Sequence, residues 1–447
     1  MSAVKRAIAG RRRPRRADKR GVALVMTLGA ITVLTVFLTE LQDQTAAELS
    51  AALSERDALR AEYYARSAVN LARMVIAIEP EVRKAIPMLG STMPQIPVWY
   101  SHDILLGSFN DQAGAESFNT TINADAVTGK SLGLTGGGHY ELKIVDEDSK
   151  ININTAAQSL PDARLRQAVQ LLGLFSPQSY NPMFEGRDAD NQFSDRQTIC
   201  GAIVDWADDD EDLYGCDPRG ASDSKGAEDN FYQTIGLGYR RKNAAFDSLD
   251  ELRLVRGVSD DFWSTFVDPD PTDPSQRILT VWGQDKINLN TANAQTLLTL
   301  VCGEEPTAAL CNDPLQLQGF ISVVAMVRRA TLGAPLFQKV DDFILMMEGK
   351  GQYGAFLAGP PVNMTPVVFR SRVQFKKRLG LRSKMFSIYA EGVVPGFKRT
   401  TRVKIHAVAD FRSAAELAPP TSAAAPTPAP APPGANPAGA IVYWRVE

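Results

Sequence analysis

KRGVALVMTLGAITVLTVFL, residues 19–38, sets two cations and a glycine ahead of Val22 to Leu38, 17 residues without a charge. No proline interrupts Val22 to Ile78, and the one glycine, Gly29, costs a helix interior only about 1 kcal/mol. The pattern predicts one helix from Val22 that ends by Pro80, roughly 85 Å long at 1.5 Å per residue. A bilayer core takes about 30 Å of it, so the apolar first half (22–38) inserts and the rest projects. In the projecting half Tyr64, Ala68, Leu71, Val75 and Ile78 recur at steps of four and three, one face that should lie against a folded domain. Nine basic residues between Lys5 and Arg20 stand ahead of the run against the single Asp18. That asymmetry keeps the leader in the cytoplasm and exports everything after Leu38.

Three readings fit such a stretch. A cleaved secretory signal has a shorter apolar region and then a small-residue cleavage site, whereas here the helix continues through Thr39, Glu40 and Leu41. A plain signal anchor needs only the run itself. In the third, Lys19-Arg20-Gly21-Val22 resembles a prepilin cleavage site, with 1–21 the basic leader and the cut between Gly21 and Val22. Glycine suits a bond that a peptidase must hold extended. Most type IV pilin-like proteins carry glutamate as the fifth mature residue, paired with the terminal amine of the subunit ahead; here that residue is Met26. A buried carboxylate without a partner costs several kcal/mol, so an apolar fifth residue suits a subunit with nothing ahead of it.

Composition narrows the remainder. With 447 residues, 44 % of them apolar, the chain has room for two or three globular units beyond the helix. Residues 1–21 hold nine basic side chains and one acidic one, so without them the formal charge of -3 becomes -11. An acidic chain argues against a nucleic-acid surface and suits a cation-binding or soluble extracytoplasmic role. Cys200, Cys216, Cys302 and Cys311 form two close pairs; the simplest pairing is local, Cys200 with Cys216 and Cys302 with Cys311. Neither pair has zinc-knuckle spacing, and His102, His139 and His406 are the only histidines.

Residues 90–138 read as loops with a short strand or two. Tyr140 to Val145 then alternates as a half-buried strand. It leads into Lys150-Ile-Asn-Ile-Asn-Thr-Ala156, which nearly recurs as Lys286-Ile-Asn-Leu-Asn-Thr-Ala292. Each copy is an extended piece ending in a capping Asn-Thr before an apolar-periodic helix, which suggests two related helical modules, 155–285 and 286–363. From Val367 the period returns to two: Val367–Phe375, Met385–Val393 and Thr401–Ala409 read as strands. The fold expected is α+β, a long helix on a small antiparallel sheet (81–154 and 364–412) with the helical modules inserted. Residues 413–447 read as an Ala/Pro-rich disordered tail, too poor in large apolar residues to fold; its terminal Ile441–Val446 is apolar enough for a docking peptide or an extra edge strand, and by default is a plain end.

The chief polar constellation is Asp205-Trp-Ala-Asp208-Asp-Asp210-Glu-Asp212, followed by Gly226-Ala-Glu228-Asp229. So many carboxylates repel unless solvated or neutralised, and calcium takes six to eight oxygens. Asp208, Asp210 and Asp212 match the opening of an EF-hand loop, but Leu213 replaces its glycine and Arg219 its glutamate. A less regular site from Asp205, Asp208, Asp210, Asp212, Glu228 and Asp229 remains, against a plain solvated loop. The bracketing Cys200 and Cys216 and the interleaved Trp206, Phe231, Tyr232 and Tyr239 favour a packed site. No Gly-x-Ser-x-Gly, His-Glu-x-x-His or phosphate loop is present, so a non-enzymatic protein is expected.

Taken with Met26, the run Asp-Trp-x-Asp-x-Asp, then Gly-Ala-Glu-Asp-x-x-Tyr, then Ser248-Leu-Asp-Glu-Leu-Arg-Leu-Val-Arg-Gly257 resembles the type II secretion minor pseudopilin K family over about residues 19–412. The resemblance implies a type IV pilin-like fold with two SAM-like helical modules and calcium in the inserted domain. It also implies cleavage by prepilin peptidase, a single pass through the inner membrane with a periplasmic head, and an inner-membrane assembly platform. The place implied is the tip of a pseudopilus, beside minor pseudopilins I and J, in protein export across the outer membrane. The alternative comes from the same Asn-x-Asn-Thr-Ala signature, which also resembles helix-hairpin-helix DNA-binding modules of membrane-anchored competence proteins. There a Gly-hydrophobic-Gly hairpin presents amides to phosphate; here Arg256-Gly257-Val258-Ser259 lacks the second glycine, and Asp260 and Asp261 would repel phosphate.

Overall fold

A computed structural model describes residues 19–88, 97–110, 114–116, 119–120, 137–158, 162–187, 191–217, 223–227, 229–284, 286–331, 334–360, 362–396, 399–414 and 436–447. The leader before Lys19, Glu228 and the Ala/Pro-rich stretch 415–435 lie outside the described residues.

Helix α1 runs Lys19–Met88. Its first half is bare: Val25 and Val33 are 69 % and 71 % exposed. Farther on, one stripe disappears, and it is made of small residues, Ala61, Ala65, Ala68 and Ala72, with Val69, Val75 and Ile76. Of the face expected from the sequence, Ala68 and Val75 lie in this stripe while Tyr64 and Leu71 flank it. The helix does not stop by Pro80. A proline removes only one intrahelical bond, and the helix continues past it to Met88; Ile76, Ala77, Glu79 and Pro80 line a cleft with Pro97 and Trp99. Residues 102–110, expected as loop, form helix α2 (His102–Asn110). This helix seals the edge of strand β1 (His139–Asp146). The Asn110 side chain donates to Tyr140 O at 2.9 Å and accepts from Tyr140 N at 2.7 Å, as a neighbouring strand would.

After β1 the chain leaves for the head. The first module contains strand β2 (Ile151–Asn152), helices α3 (Ala163–Phe175) and α4 (Arg196–Ala207), the β3 (Asp212–Tyr214) and β4 (Asp223–Ala227) pair, helix α5 (Asn230–Ile235) and strand β5 (Leu279–Thr280), which returns parallel to β2. The second repeats the plan: strand β6 (Ile287–Asn288), helices α6 (Ala294–Glu304), α7 (Pro314–Ala330), α8 (Val340–Met347), α9 (Gly351–Ala358) and α10 (Arg372–Lys377), then strand β7 (Leu379–Gly380), parallel to β6. The recurring asparagines do equivalent work. Asn154 exchanges hydrogen bonds with both backbone groups of Phe246 at 2.9 and 2.7 Å, and Asn290 does the same with Phe337 at 3.0 and 2.9 Å. The modules cross at α3 and α6 where glycines meet: a Cβ on Gly173 would lie 2.4 Å from Thr299 O, and one on Gly303 2.4 Å from Val169 O.

One expected strand is corrected. Val367–Phe375 runs as coil into α10, where Ser371 caps Gln374 N. Phe369 and Phe375 stack at 4.7 Å inside the second module, so their alternation serves that core and not the sheet, and the module extends to Gly380 instead of ending at 363.

Strands β8 (Met385–Pro395), β9 (Thr400–Asp410) and β10 (Ala440–Val446) then complete an antiparallel sheet in the order β1-β8-β9-β10. Asp146 pairs with Phe386, so the whole head is spliced between neighbouring strands. The C-terminal segment is the extra edge strand. The Arg73 guanidinium of α1 donates to Ala438 O and Gly439 O at 2.9 and 2.8 Å, which fixes where β10 begins.

Candidate functional site

The acidic loop is held from below by helix α4. Asp195 caps its start by accepting from Thr198 N at 2.8 Å, and Asp205, in its last turn, accepts from Tyr214 N at 3.0 Å, fastening β3 to the helix. That close approach needs Gly201, because a Cβ there would meet Tyr214 O at 2.4 Å. The Cys200–Cys216 bridge spans the same contact, with the α carbons 6.0 Å apart; Cys302 and Cys311 are bridged in the second module. Beneath the loop Trp206 lies 6.1 Å from both Tyr232 and Phe246 and 6.5 Å from Tyr239.

The named carboxylates divide into distinct environments. Asp205 is buried and committed to Tyr214. Asp210 meets Arg164 at 2.5 Å and accepts from Asp212 N at 2.9 Å, while Asp212 itself is exposed. Asp229 lies 3.4 Å from Arg241. Asp208 is 3 % exposed, and neither of its oxygens has a hydrogen-bond partner; one Asp229 oxygen is buried without one as well. Burial, then the nearby Asp210, pushes the Asp208 carboxyl up to about 6, against the pull of Arg164 and Arg241. Among the described residues no three His, Cys, Asp or Glu side chains converge as a metal site would require. The arrangement is thus a partly neutralised acidic knot in which buried oxygens of Asp208 and Asp229 face Arg164 at 3.6 Å and Arg241 at 3.4 Å without a hydrogen bond. A hard cation such as calcium takes six to eight oxygens, and of the other named carboxylates among the described residues only Asp210 is near Asp208, through the Arg164 that both face.

Sequence reasoning missed Arg164 and Arg241, which approach from α3 and from the chain after α5 and carry no local signal. It also missed the two phenylalanines clipped by asparagine. A signal for those existed: Phe246-x-x-Leu-Asp-Glu-Leu252 repeats as Phe337-x-x-Val-Asp-Asp-Phe343. At the hairpin that resembles a DNA-binding one, Gly257 takes φ +79°. Arg256 is spent on Ser194 at 3.3 Å, and Asp260 pairs with Arg253 at 3.0 Å.

Residues 149–266 match the family described as type II secretion system (T2SS), protein K. Among solved structures the chain is similar to one in the crystal structure of the GspK-GspI-GspJ complex from the enterotoxigenic Escherichia coli type 2 secretion system. Identity is 14 %, coverage is 78 % of this chain and 95 % of that one, and the TM-score is 0.38. No curated protein matches.

Proposed function

We propose, on the premise that this chain is a member of the type II secretion system protein K family, that it is the minor pseudopilin at the tip of the periplasmic pseudopilus. It is a structural component there, initiating assembly for export of folded proteins across the outer membrane. The observation that carries this reading is the division of α1: a bare apolar half, the one described helix long and apolar enough to cross a membrane, and a half fastened to the sheet. A bare apolar rod needs lipid or fellow helices around it. Helices packed in a fibre lie about 8–10 Å apart, and a head spliced into the sheet between β1 and β8 is too wide to repeat at that spacing. Minor pseudopilins I and J are the neighbours of choice, with storage in the inner membrane, prepilin peptidase and the assembly platform upstream. The Gly21–Val22 bond lies in the first turns of α1, where amides lack intrahelical partners and unwinding is least costly. The test is mass spectrometry of protein recovered from sheared pseudopili. A mature chain starting at Val22, in one copy per fibre, is expected; a different start or many copies per fibre overturns the reading.

We further propose calcium at the acidic knot, supported by the buried oxygens of Asp208 and Asp229 that no hydrogen bond satisfies, with Asp205, Asp210, Asp212 and Glu228 as the remaining ligand candidates. The ion would add direct coordination to oxygens that so far only face Arg164 at 3.6 Å and Arg241 at 3.4 Å. Calcium at a hundredfold its dissociation constant is expected to add about 2.7 kcal/mol of stability over chelator, and Asp208→Asn to abolish the gain. Without calcium the sign follows from a folded pKa near 6, above the ordinary 3.8. The fold prefers the protonated acid, so the contribution of Asp208 is fullest at low pH and is lost as pH rises through 6. The difference in melting temperature between Asp208→Asn and the parent should therefore widen from pH 5 to pH 7.5 in chelator. Equal calcium responses in the two proteins would refute the assignment.

A further inference from the structure

Along β8 and β9, Phe386, Ile388, Ala390, Ile405 and Ala407 share a core with α1. By strand alternation Ser387, Tyr389, His406 and Lys404 face the other way. There they bound a cavity of about 660 Å³ between the sheet and the first module, within the range of about 300–1,000 Å³ usual for small-molecule sites. Four rings cross it in a line. Tyr389 lies flat on His406, centroids 4.2 Å apart and planes 8° from parallel; His406 is 5.1 Å from Tyr443, and Tyr443 is 5.7 Å from Trp282. All four are only partly buried.

The charges around the rings are already paired. Lys150 Nζ lies 3.0 and 3.1 Å from the two oxygens of Glu147, Arg277 grips Asp268 at 2.9 and 3.3 Å, Arg445 meets Glu447 at 2.9 Å, and Lys404 lies 3.8 Å from Glu391. Six acidic and five basic side chains line the cavity, so it offers many hydrogen-bonding groups and almost no net charge. A phosphate-bearing ligand would want a cationic excess, and an acyl chain would leave eleven ionisable groups desolvated. A molecule with flat C–H faces and hydroxyl edges satisfies both the rings and the ion pairs.

We propose that this cleft binds a neutral oligosaccharide, its ring faces on Tyr443 and Trp282 and its hydroxyls on the paired carboxylates and cations. The site also gives strand β10 a purpose, since that strand brings Tyr443, at the far end of the chain, onto the cleft, and the Arg73 fork holds it there. The test is calorimetric titration of the full-length protein in detergent with two neutral probes, N,N′,N″-triacetylchitotriose and cellotriose. Saturable binding of at least one is expected, with affinity unchanged from about 0.05 to 0.5 M salt because no net charge is exchanged. Tyr443→Ala and, separately, Trp282→Ala should each weaken it about tenfold, the scale of one lost aromatic contact. Tyr100→Ala, exposed and outside the cleft, should leave it unchanged. Two substitutions from different segments keep the result readable if one of them disturbs β10. Silence with both sugars overturns the proposal. So does binding that survives the ring substitutions or falls steeply with salt.

Discussion

Asp148→Ala is expected to remove about 4 kcal/mol of stability and to loosen the head from the sheet. The carboxylate is 1 % exposed and works as a four-way acceptor: from Gln284 N at 2.8 Å, Gln284 Nε2 at 2.7 Å, Lys384 N at 2.6 Å and Met385 N at 3.1 Å. Those donors come from the loop between the modules and from the start of β8, so one side chain joins the point where the chain leaves the sheet to the point where it returns. Beside it Asp146 accepts from Thr291 and Ser383, and the buried Glu147–Lys150 pair reaches Thr280 on β5 at 2.6 Å. An alanine would strand three backbone amides, that of Met385 buried and those of Gln284 and Lys384 partly so, at about 1–3 kcal/mol for each that water does not reach. Water entering the gap would recover part of that. Asp148→Asn is expected to help little, because its amide hydrogens would face other donors. Urea melts followed by tryptophan fluorescence measure the loss, and proteolysis at the crossing after β1 reports the loosened joint. A loss below about 1 kcal/mol with unchanged proteolysis would show that the knot does not carry the joint.

That knot explains what could and could not be read from the residues alone. The rod was legible because 17 uncharged residues behind a basic cluster admit few structures, and β1, β8 and β9 because alternation survives in a half-buried sheet. Asp146 to Lys150, by contrast, reads as a polar turn after a strand, and nothing local says that five such residues are buried together. Their burial depends on partners more than a hundred residues away. The same limit misled the reading of Val367–Phe375, whose alternation is real but serves a helical core. The recurring Asn-x-Asn-Thr-Ala pointed to paired modules, yet the role of its second asparagine, clipping a phenylalanine backbone, emerged only from the fold. At the acidic loop the carboxylates were visible, while the arginines that partly neutralise them were not, since Arg164 and Arg241 are adjacent to the loop only in space.

Gly392→Val is expected to cost at least about 3 kcal/mol, the upper range for overpacking, because the obstacle is backbone. A Cβ at this position of β8 would stand 1.8 Å from Ala61 O and 2.9 Å from Ala65 N. Neither atom can rotate away, so the helix must lift from the sheet along the stripe of Ala61, Ala65, Ala68 and Ala72, all fully buried. Two comparisons separate this mechanism from a general intolerance of valine. Gly29→Val, where nothing lies within 4 Å, should leave the melting of the folded part unchanged. Adding Ala61→Gly to Gly392→Val should not rescue it, because the clash is with the Ala61 carbonyl and not its methyl. Thermal melts of the three variants decide, and rescue by Ala61→Gly would move the cause to side-chain crowding. The consequence for the proposed function follows from the same contact: if the apolar half of α1 is held in lipid or fibre, a rod lifted from β8 would still insert but would no longer fix the direction in which the head points.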